Sequence, residues 1–205
     1  PMLTQQLKVR DLLAHRTGLP STDYWSFLQY MPLDEQLKRL RTVRTAAPLR
    51  TRLIYQNTMF EIAGLLIERL SGQRWHDFLT ERLWRPIGML ETYGERAQIG
   101  EDQTHVTPHL YFENKLVVPA WDFPADFADA AGSAWSSIHD MSLWAQFLLG
   151  DGVTVGGERL VSEAGMQEMF EPQQLASPSD FDPTVELTKP NWRSYGLGWF
   201  QQDFQ

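Results

Sequence analysis

The stretch Tyr55-Gln56-Asn57-Thr58-Met59-Phe60-Glu61-Ile62-Ala63-Gly64-Leu65-Leu66-Ile67-Glu68-Arg69-Leu70-Ser71-Gly72 carries the strongest secondary-structure signal in the chain. Thr58 and Glu61 have capping-box spacing, Ile62, Leu65, Leu66 and Leu70 recur at helical period, and Gly72 supplies a stop. The pattern predicts a deeply buried helix over 58–70, with other helices packed around it. Tyr55-Gln56-Asn57 is expected in extended backbone, where alternate side chains share a face, so that Tyr55 and Asn57 lie together. A phenol can pass protons and an amide can hold a carbonyl, which makes the pair candidate site residues. The triplet alone is a weak signal, and Asn57 also suits a helix cap.

Toward the N-terminus, residues 9–15 have apolar positions at one-turn spacing and read as a short helix stopped by Gly18 and Pro20. A turn-rich loop runs to Pro32. Asp34 then offers an N-cap for a helix over 35–43 with a thin stripe of Leu37 and Leu40 and a solvated basic face of Lys38, Arg39, Arg41 and Arg44. Toward the C-terminus, 75–84 reads as an amphipathic helix closed by Pro86 and Gly88, and 110–118 as two short strands about Glu113-Asn114. Ser137 and Asp140 head a helix over 141–149, Ser162 caps another through Phe170, and 171–192 reads as loop. Residues 196–201 read as a lone strand, which must find its backbone partner outside this chain.

A chain of 205 residues that is 42% hydrophobic and 21% charged fits one globular domain with a real core. Eighteen basic against twenty-six acidic residues give a net charge of −8, which disfavours a phosphate backbone as partner, so no nucleic acid is expected. Without cysteine there is neither a disulfide framework nor a thiol nucleophile. There is no apolar run of about eighteen residues, so no membrane segment is expected, and 1–6 do not read as a signal peptide. The absence of an initiator methionine and the interrupted terminal strand lead to the expectation of a single-domain fragment over 1–205.

The chain contains no G-x-S-x-G, no P-loop and no H-E-x-x-H, and the glycines at 150, 152, 156 and 157 miss the dinucleotide spacing. His105 and His109, near Asp102, have a spacing that would suit a metal on a helix, but Pro108 argues against that helix, so a surface loop is expected. No metal or cofactor is implied. His15, His76 and His139 sit in or beside amphipathic helices, where a partly buried, hydrogen-bonded imidazole is the ordinary reading.

Several longer segments occur in an order that resembles one family. Leu12-Leu13-Ala14-His15-Arg16-Thr17-Gly18-Leu19-Pro20 is similar to the LL-H-SGL signature of class C β-lactamases, related esterases and D-amino-peptidases. Tyr55-Gln56-Asn57 falls where that family has Tyr-x-Asn, and the run from Ile62 to Ser71-Gly72 resembles its following helix. Pro86-Ile87-Gly88-Met89 with Thr92 looks like its P-L-G-M-x-x-T. Ala131-Gly132, Ser136-Ser137 and Asp140 match A-G-G-x-x-S-T-x-x-D-L, and Tyr195-Gly196-Leu197-Gly198-Trp199 matches Y-G-L-G-W. Departures are Gln56 where small residues are common, Ser133 for a glycine and Ser137 for a threonine.

The resemblance implies an α/β, β-lactamase/transpeptidase-like fold, of which this chain is mainly the helical part, with the flanking sheet strands outside it. It implies a serine hydrolase that acylates on a small-molecule ester, amide or β-lactam carbonyl, with Tyr55 as general acid/base and Asn57 orienting substrate. The family's S-x-x-K is expected before Pro1 and its H-x-G or K-T-G after Gln205, since neither occurs within the chain; the chain alone is expected to be inactive. An ordinary phenol, with a pKa near 10, is only about one part in a thousand phenolate at pH 7, so Tyr55 needs a cationic neighbour such as that lysine. By the same resemblance, loops at 19–32 and 119–132, with Trp25, Tyr30, Trp121 and Phe123, rim the cleft; the alternative is that these aromatics simply pack under the long loops. An extracytoplasmic location would also fit the family. The alternatives are a non-catalytic sensor or scaffold that binds peptidoglycan-like or acyl ligands, and a helical interaction module without a pocket.

Overall fold

Helix α5 (Asn57–Ser71) begins where a distant carboxylate meets its free N–H groups. Asn57 N–H donates to Asp23 Oδ1 at 2.7 Å, while the N-cap position, Gln56, makes no side-chain cap. Thr58 lies inside the first turn and donates its hydroxyl to Gln36 Oε1 at 3.1 Å, so the expected Thr58–Glu61 capping box does not form. The acceptor it would have supplied comes from Asp23 instead. The structure is a computed structural model that describes residues 2–27, 29, 31–100, 104–118, 129–177 and 190–203.

Before α5 come α1 (Met2–Gln6), α2 (Val9–Leu13), α3 (Tyr24–Phe27) and α4 (Leu33–Leu40). After it follow α6 (Trp75–Leu79), α7 (Arg85–Ile87), α8 (Ile138–Leu149) and α9 (Glu163–Phe170). Three small antiparallel sheets complete the described architecture: β1 (Thr92–Tyr93) with β4 (Trp135–Ser136), β2 (Leu110–Phe112) with β3 (Lys115–Val117), and β5 (Gln174–Leu175), β6 (Arg193–Tyr195) and β7 (Phe200–Gln202) in that order. No described helix is long and apolar enough to cross a membrane.

The apolar core lies under α6, α7 and α8: Trp75, Trp84, Ile87, Met89 and Phe147 are buried, and Ile67, Leu143 and Leu148 pack on them. Contrary to the expected stop at 84, helical backbone continues through Pro86 to Ile87. The intervening turn, Thr80–Trp84, is π-helical. A widened turn gives the proline ring room against the carbonyl four residues earlier and leaves no donor unused, because proline has none. Asp140, at the head of α8, accepts from Glu91 N–H and Thr92 Oγ1, each at 2.7 Å, which ties that helix to β1. Ser137 and Ser162 cap α8 and α9 as expected.

The buried side of α5 is not its leucine stripe. Thr58, Met59, Glu61 and Gly64 are buried, Ile62, Leu65 and Leu66 are half-buried, and Leu70 is 87% exposed. A chain of buried hydrogen bonds makes this possible: Thr22 to Thr58, Thr58 to Gln36, Gln36 to Ser26 at 2.8 Å, and Ser26 to Glu61 at 3.3 Å. Polar side chains can line a helix interface when they satisfy one another.

The lone C-terminal strand is also corrected. β7 pairs with β6 in the register Tyr195↔Phe200 and Arg193↔Gln202, and β6 pairs with β5. Residues 196–199 form the turn between β6 and β7, with Gly198 at φ +91 and Gly196 N–H bonded to Trp199 O at 2.8 Å. Glycine accepts that left-handed backbone without a Cβ clash. The turn at Glu113 (φ +46) and Asn114 (φ +60) joins β2 to β3 as the sequence predicted.

Candidate active site

The Tyr55 segment is fastened first at its approach. Asp11, fully buried, accepts from Arg16 Nε at 2.8 Å and from Arg50 Nε and Nη2 at 2.9 and 2.8 Å. Burial alone would raise this carboxyl, but the bonds from Arg50, Lys8 N–H and Arg16 hold it well below the usual carboxylate range. Arg16 also donates to Gln173 O at 2.9 Å, and Arg50 N–H donates to Arg16 O at 2.8 Å. The loop after α2, the run into Tyr55 and the edge of β5 are thereby held in one place.

Beyond this clamp the chain is extended, with Gln56 at φ −161, ψ 132. Gln56 is fully buried and donates its amide to Leu19 O at 3.2 Å, whereas Tyr55 and Asn57 on either side are half-buried. The extended backbone expected over 55–57 ends at Gln56, because Asn57 is already the first residue of α5; Tyr55 and Asn57 are nonetheless the two more open residues of the triplet.

Three described rings pack on Tyr55, and a fourth packs on one of them. His15 lies 4.2 Å from the Tyr55 ring, centroid to centroid; Tyr195 and Phe200 each lie at 6.3 Å, the first edge-on and the second stacked. Phe60 of α5 lies 5.1 Å from His15. Buried Leu53, Ala176 and Tyr195 form a small apolar cluster against which Tyr55 packs. Burial, and then the nearby Asp23 carboxylate, push the Tyr55 phenol above its ordinary pKa of 10.0. Burial, and then Tyr55, push Tyr195 up as well. Within these residues Tyr55 is a neutral phenol, able to donate a proton but not yet activated to take one.

Asp23 carries the opposite charge to what Tyr55 would need, yet its place is explained by α5, whose first N–H groups it accepts. Burial raises its own carboxyl and those hydrogen bonds pull it back. Beneath α5, Glu61 is buried with a Ser26 hydroxyl as partner, and burial followed by the Asp129 and Asp23 charges pushes it up to about 7.

The other histidines lie elsewhere. His76 is buried against Asp77 and Gln98, His139 is exposed rather than partly buried, and His105 and His109 are exposed with ring nitrogens near backbone carbonyls of their own loop. Among the described residues no group of three or more His, Cys, Asp or Glu side chains is placed to hold a metal. Asp102 lies outside them, as do Tyr30, Trp121 and Phe123. Trp25 is 7% exposed and packs edge-on to Tyr24, which is core packing rather than a cleft rim. Sequence reading missed His15, Tyr195, Phe200 and Asp23 as neighbours of Tyr55. The only available signal was that His15 and Tyr195 each sit in a segment that resembles the family.

The chain belongs to the beta-lactamase family, whose sequence model matches residues 3–205. Over 98% of its length it is 28% identical to the unguisins hydrolase ungD' of Aspergillus campestris, and it covers 37% of that protein. Over 68% of its length it is 30% identical to the D-aminopeptidase of Brucella anthropi, covering 28% of it. The fold aligns with the octameric penicillin-binding protein homologue from Pyrococcus abyssi at a TM-score of 0.74 and 19% identity, over 97% of this chain and 46% of that one. The architecture is that of the helical part of the β-lactamase/transpeptidase-like α/β fold. The chain spans well under half the length of the curated relatives it matches.

Proposed function

We propose that the protein bearing this chain is a serine hydrolase that works through an acyl-enzyme on amide or ester carbonyls, with Tyr55 as general acid/base and Asn57 as a substrate-orienting amide. The observation that carries this reading is the pairing of half-open Tyr55 and Asn57 about a fully buried Gln56, on a segment clamped by Asp11, Arg16 and Arg50. That arrangement leaves a phenol and an amide partly open on either side of a buried, hydrogen-bonded residue. Peptide-like amides are the favoured substrate class, because one of the relatives named above is an aminopeptidase by name.

In this mechanism Tyr55 starts as the phenolate that a cationic lysine would stabilise, and its Oη takes the proton of the serine hydroxyl as the serine oxygen attacks the carbonyl carbon, giving a tetrahedral intermediate. The same phenol then donates that proton to the leaving nitrogen, and the C–N bond breaks to leave the acyl-serine. Water attacks the ester next, Tyr55 accepts its proton and returns it to the serine oxygen. The products are the amine released in the first half, a carboxylic acid and the free enzyme. The serine and the lysine that would lower the phenol pKa belong to the family's S-x-x-K, and no serine in 1–205 has a lysine three residues later. Residues 1–205 alone are therefore proposed to form one incomplete domain and to turn over nothing. The half-buried face of Ile62, Leu65 and Leu66 on α5 is available to pack against the rest of such a domain.

The test is labelling of the full-length protein with a fluorescent serine-acylating probe. Wild type should label, Tyr55→Phe should label at least about a hundredfold more slowly while folding normally, and residues 1–205 alone should not label. A Tyr55→Phe variant that acylates at the wild-type rate refutes the role. A second reading, a non-catalytic sensor of acyl or peptidoglycan-like ligands, draws support from the raised phenol pKa. Ligand binding without covalent labelling of the full-length protein would favour it.

A further inference from the structure

We propose that His15 is a positioning residue for Tyr55: a neutral imidazole latch that fixes the backbone on both sides of the tyrosine and sets the plane of its ring. The proposal rests on the acid/base reading of Tyr55 and adds a residue 40 positions away in sequence that touches no reacting atom.

Two hydrogen bonds bracket Tyr55. Ile54 N–H donates to His15 O at 2.9 Å, and Gln56 N–H donates to His15 Nδ1 at 3.4 Å. In extended backbone the N–H groups of residues two apart point the same way, so one residue can receive both. Here a backbone carbonyl takes the first and an imidazole nitrogen takes the second. Between them the Tyr55 ring lies 4.2 Å from the imidazole with the planes inclined by 40°. The phenol cannot rotate or shift along the chain without disturbing at least one of these three contacts.

The latch itself is held under strain. His15 has φ +49 and is 1% exposed, a left-handed backbone that side chains other than glycine seldom adopt. Its neighbours enforce it: His15 N–H donates to Leu12 O at 3.1 Å and Arg16 is bound to buried Asp11. A merely space-filling apolar residue would not require this geometry.

Nδ1 accepts from an N–H, so the ring proton resides on Nε2, which is buried and has no hydrogen-bond partner among the described residues. Among the described residues, the titratable rings in contact with the imidazole are the two phenols, Tyr55 from the extended segment and Tyr195 from β6; α5 contributes Phe60. Neither a carboxylate nor a cation among these balances an added proton. Protonation would break the bond to Gln56 and bury a charge, and burial accordingly lowers the His15 pKa to about 4. The latch is closed throughout the neutral range.

Two variants of the full-length protein separate the ring from the acceptor. His15→Asn puts a carbonyl oxygen near the Nδ1 position and tolerates positive φ, whereas His15→Phe keeps a ring and removes the acceptor. With a peptide-amide substrate or the acylating probe, His15→Phe should lose about 10- to 100-fold in kcat with KM changed less than about threefold, and His15→Asn should recover most of that loss. Amide exchange at Gln56 should quicken in His15→Phe and not in His15→Asn. Equal impairment of both variants, or wild-type kcat in a folded His15→Phe, overturns the proposal. If His15→Phe does not fold, imidazole ¹⁵N shifts of the wild type decide: an Nε2–H tautomer unchanged from pH 5.5 to 8 is required, and an Nδ1–H or protonated ring overturns the latch. If instead wild type fails to label, or Tyr55→Phe labels normally, the acid/base reading falls, while exchange and ¹⁵N shifts still judge the latch.

Discussion

Asp23 Oδ1 accepts the backbone N–H of Asn57 at 2.7 Å, so the carboxylate that starts α5 also stands close enough to Tyr55 to raise its phenol. Capping and electrostatics can be separated by substitution. Asp23→Asn retains an oxygen acceptor for Asn57 and removes the charge, so the Tyr55 pKa should fall and stability should change little. Asp23→Ala removes both and should cost about 1 kcal/mol. Ultraviolet titration of the phenols and urea unfolding check the two effects. In the working enzyme the acid limb of kcat/KM should move to lower pH in Asp23→Asn; an unmoved limb would separate Asp23 from Tyr55 chemistry.

Glu61 and His15 impose opposite pH slopes on folding. Burial, with the Asp129 and Asp23 charges, raises Glu61 from 4.5 to about 7, so the folded chain keeps a proton that the unfolded chain releases. Its contribution is fully present below pH 4.5 and is lost as pH rises through 7, about 3 kcal/mol in all. His15 falls from 6.5 to about 4 through burial, so its contribution is full above pH 6.5 and is lost as pH falls toward 4. Between pH 4.5 and 6.5 the two slopes nearly cancel. Glu61→Gln should therefore unfold at higher urea than wild type at pH 8, match it near pH 4.5, and expose the rising slope of His15 between. A variant no more stable than wild type at pH 8 would contradict the raised carboxyl.

Local signals placed most elements but not every cap: Thr58 lies inside α5, and α4 starts at Leu33 with Pro32, not Asp34, at its N-cap. The helix expected over 58–70 is Asn57–Ser71, the serine caps at 137 and 162 form, and the turn at Glu113-Asn114 joins its strands. Periodicity showed that α5 has an apolar stripe but not which side would be covered, because Gln36 and Ser26, which make its polar side buriable, approach from another segment. Residues 196–201 read as one strand, yet Gly196 and Gly198 turn the chain between β6 and β7, and only Phe200 and Gln201 of that run lie in a strand. Tyr55 and Asn57 could be chosen by spacing within three residues. Their surroundings could not, since His15, Asp23, Tyr195 and Phe200 reach them only through tertiary contacts.

Gly18 offers a test of how tightly the support of the Tyr55 segment is built. At φ +79, a Cβ placed there would lie 2.2 Å from Ala47 O, a backbone atom, and Gly18 O itself accepts from Ala46 N–H at 2.8 Å and Ala47 N–H at 3.2 Å. Gly18→Ala must therefore push apart two strands of loop that are bonded to each other, in addition to the left-handed strain. A cost of about 2–4 kcal/mol is expected. Gly72 is the matched control: its φ is +76, but a Cβ there meets nothing within 4 Å, so Gly72→Ala should cost only about 1 kcal/mol. Because Arg50, three residues beyond Ala47, is bonded to Arg16 and Asp11, displacement of 46–47 should also loosen the approach to Tyr55. Gly18→Ala should consequently lower the acylation rate even at a temperature where it is fully folded, and Gly72→Ala should not. Equal unfolding midpoints for the two variants would show that the contact at Ala47 yields freely, and the clamp could then not be what holds Tyr55 in register.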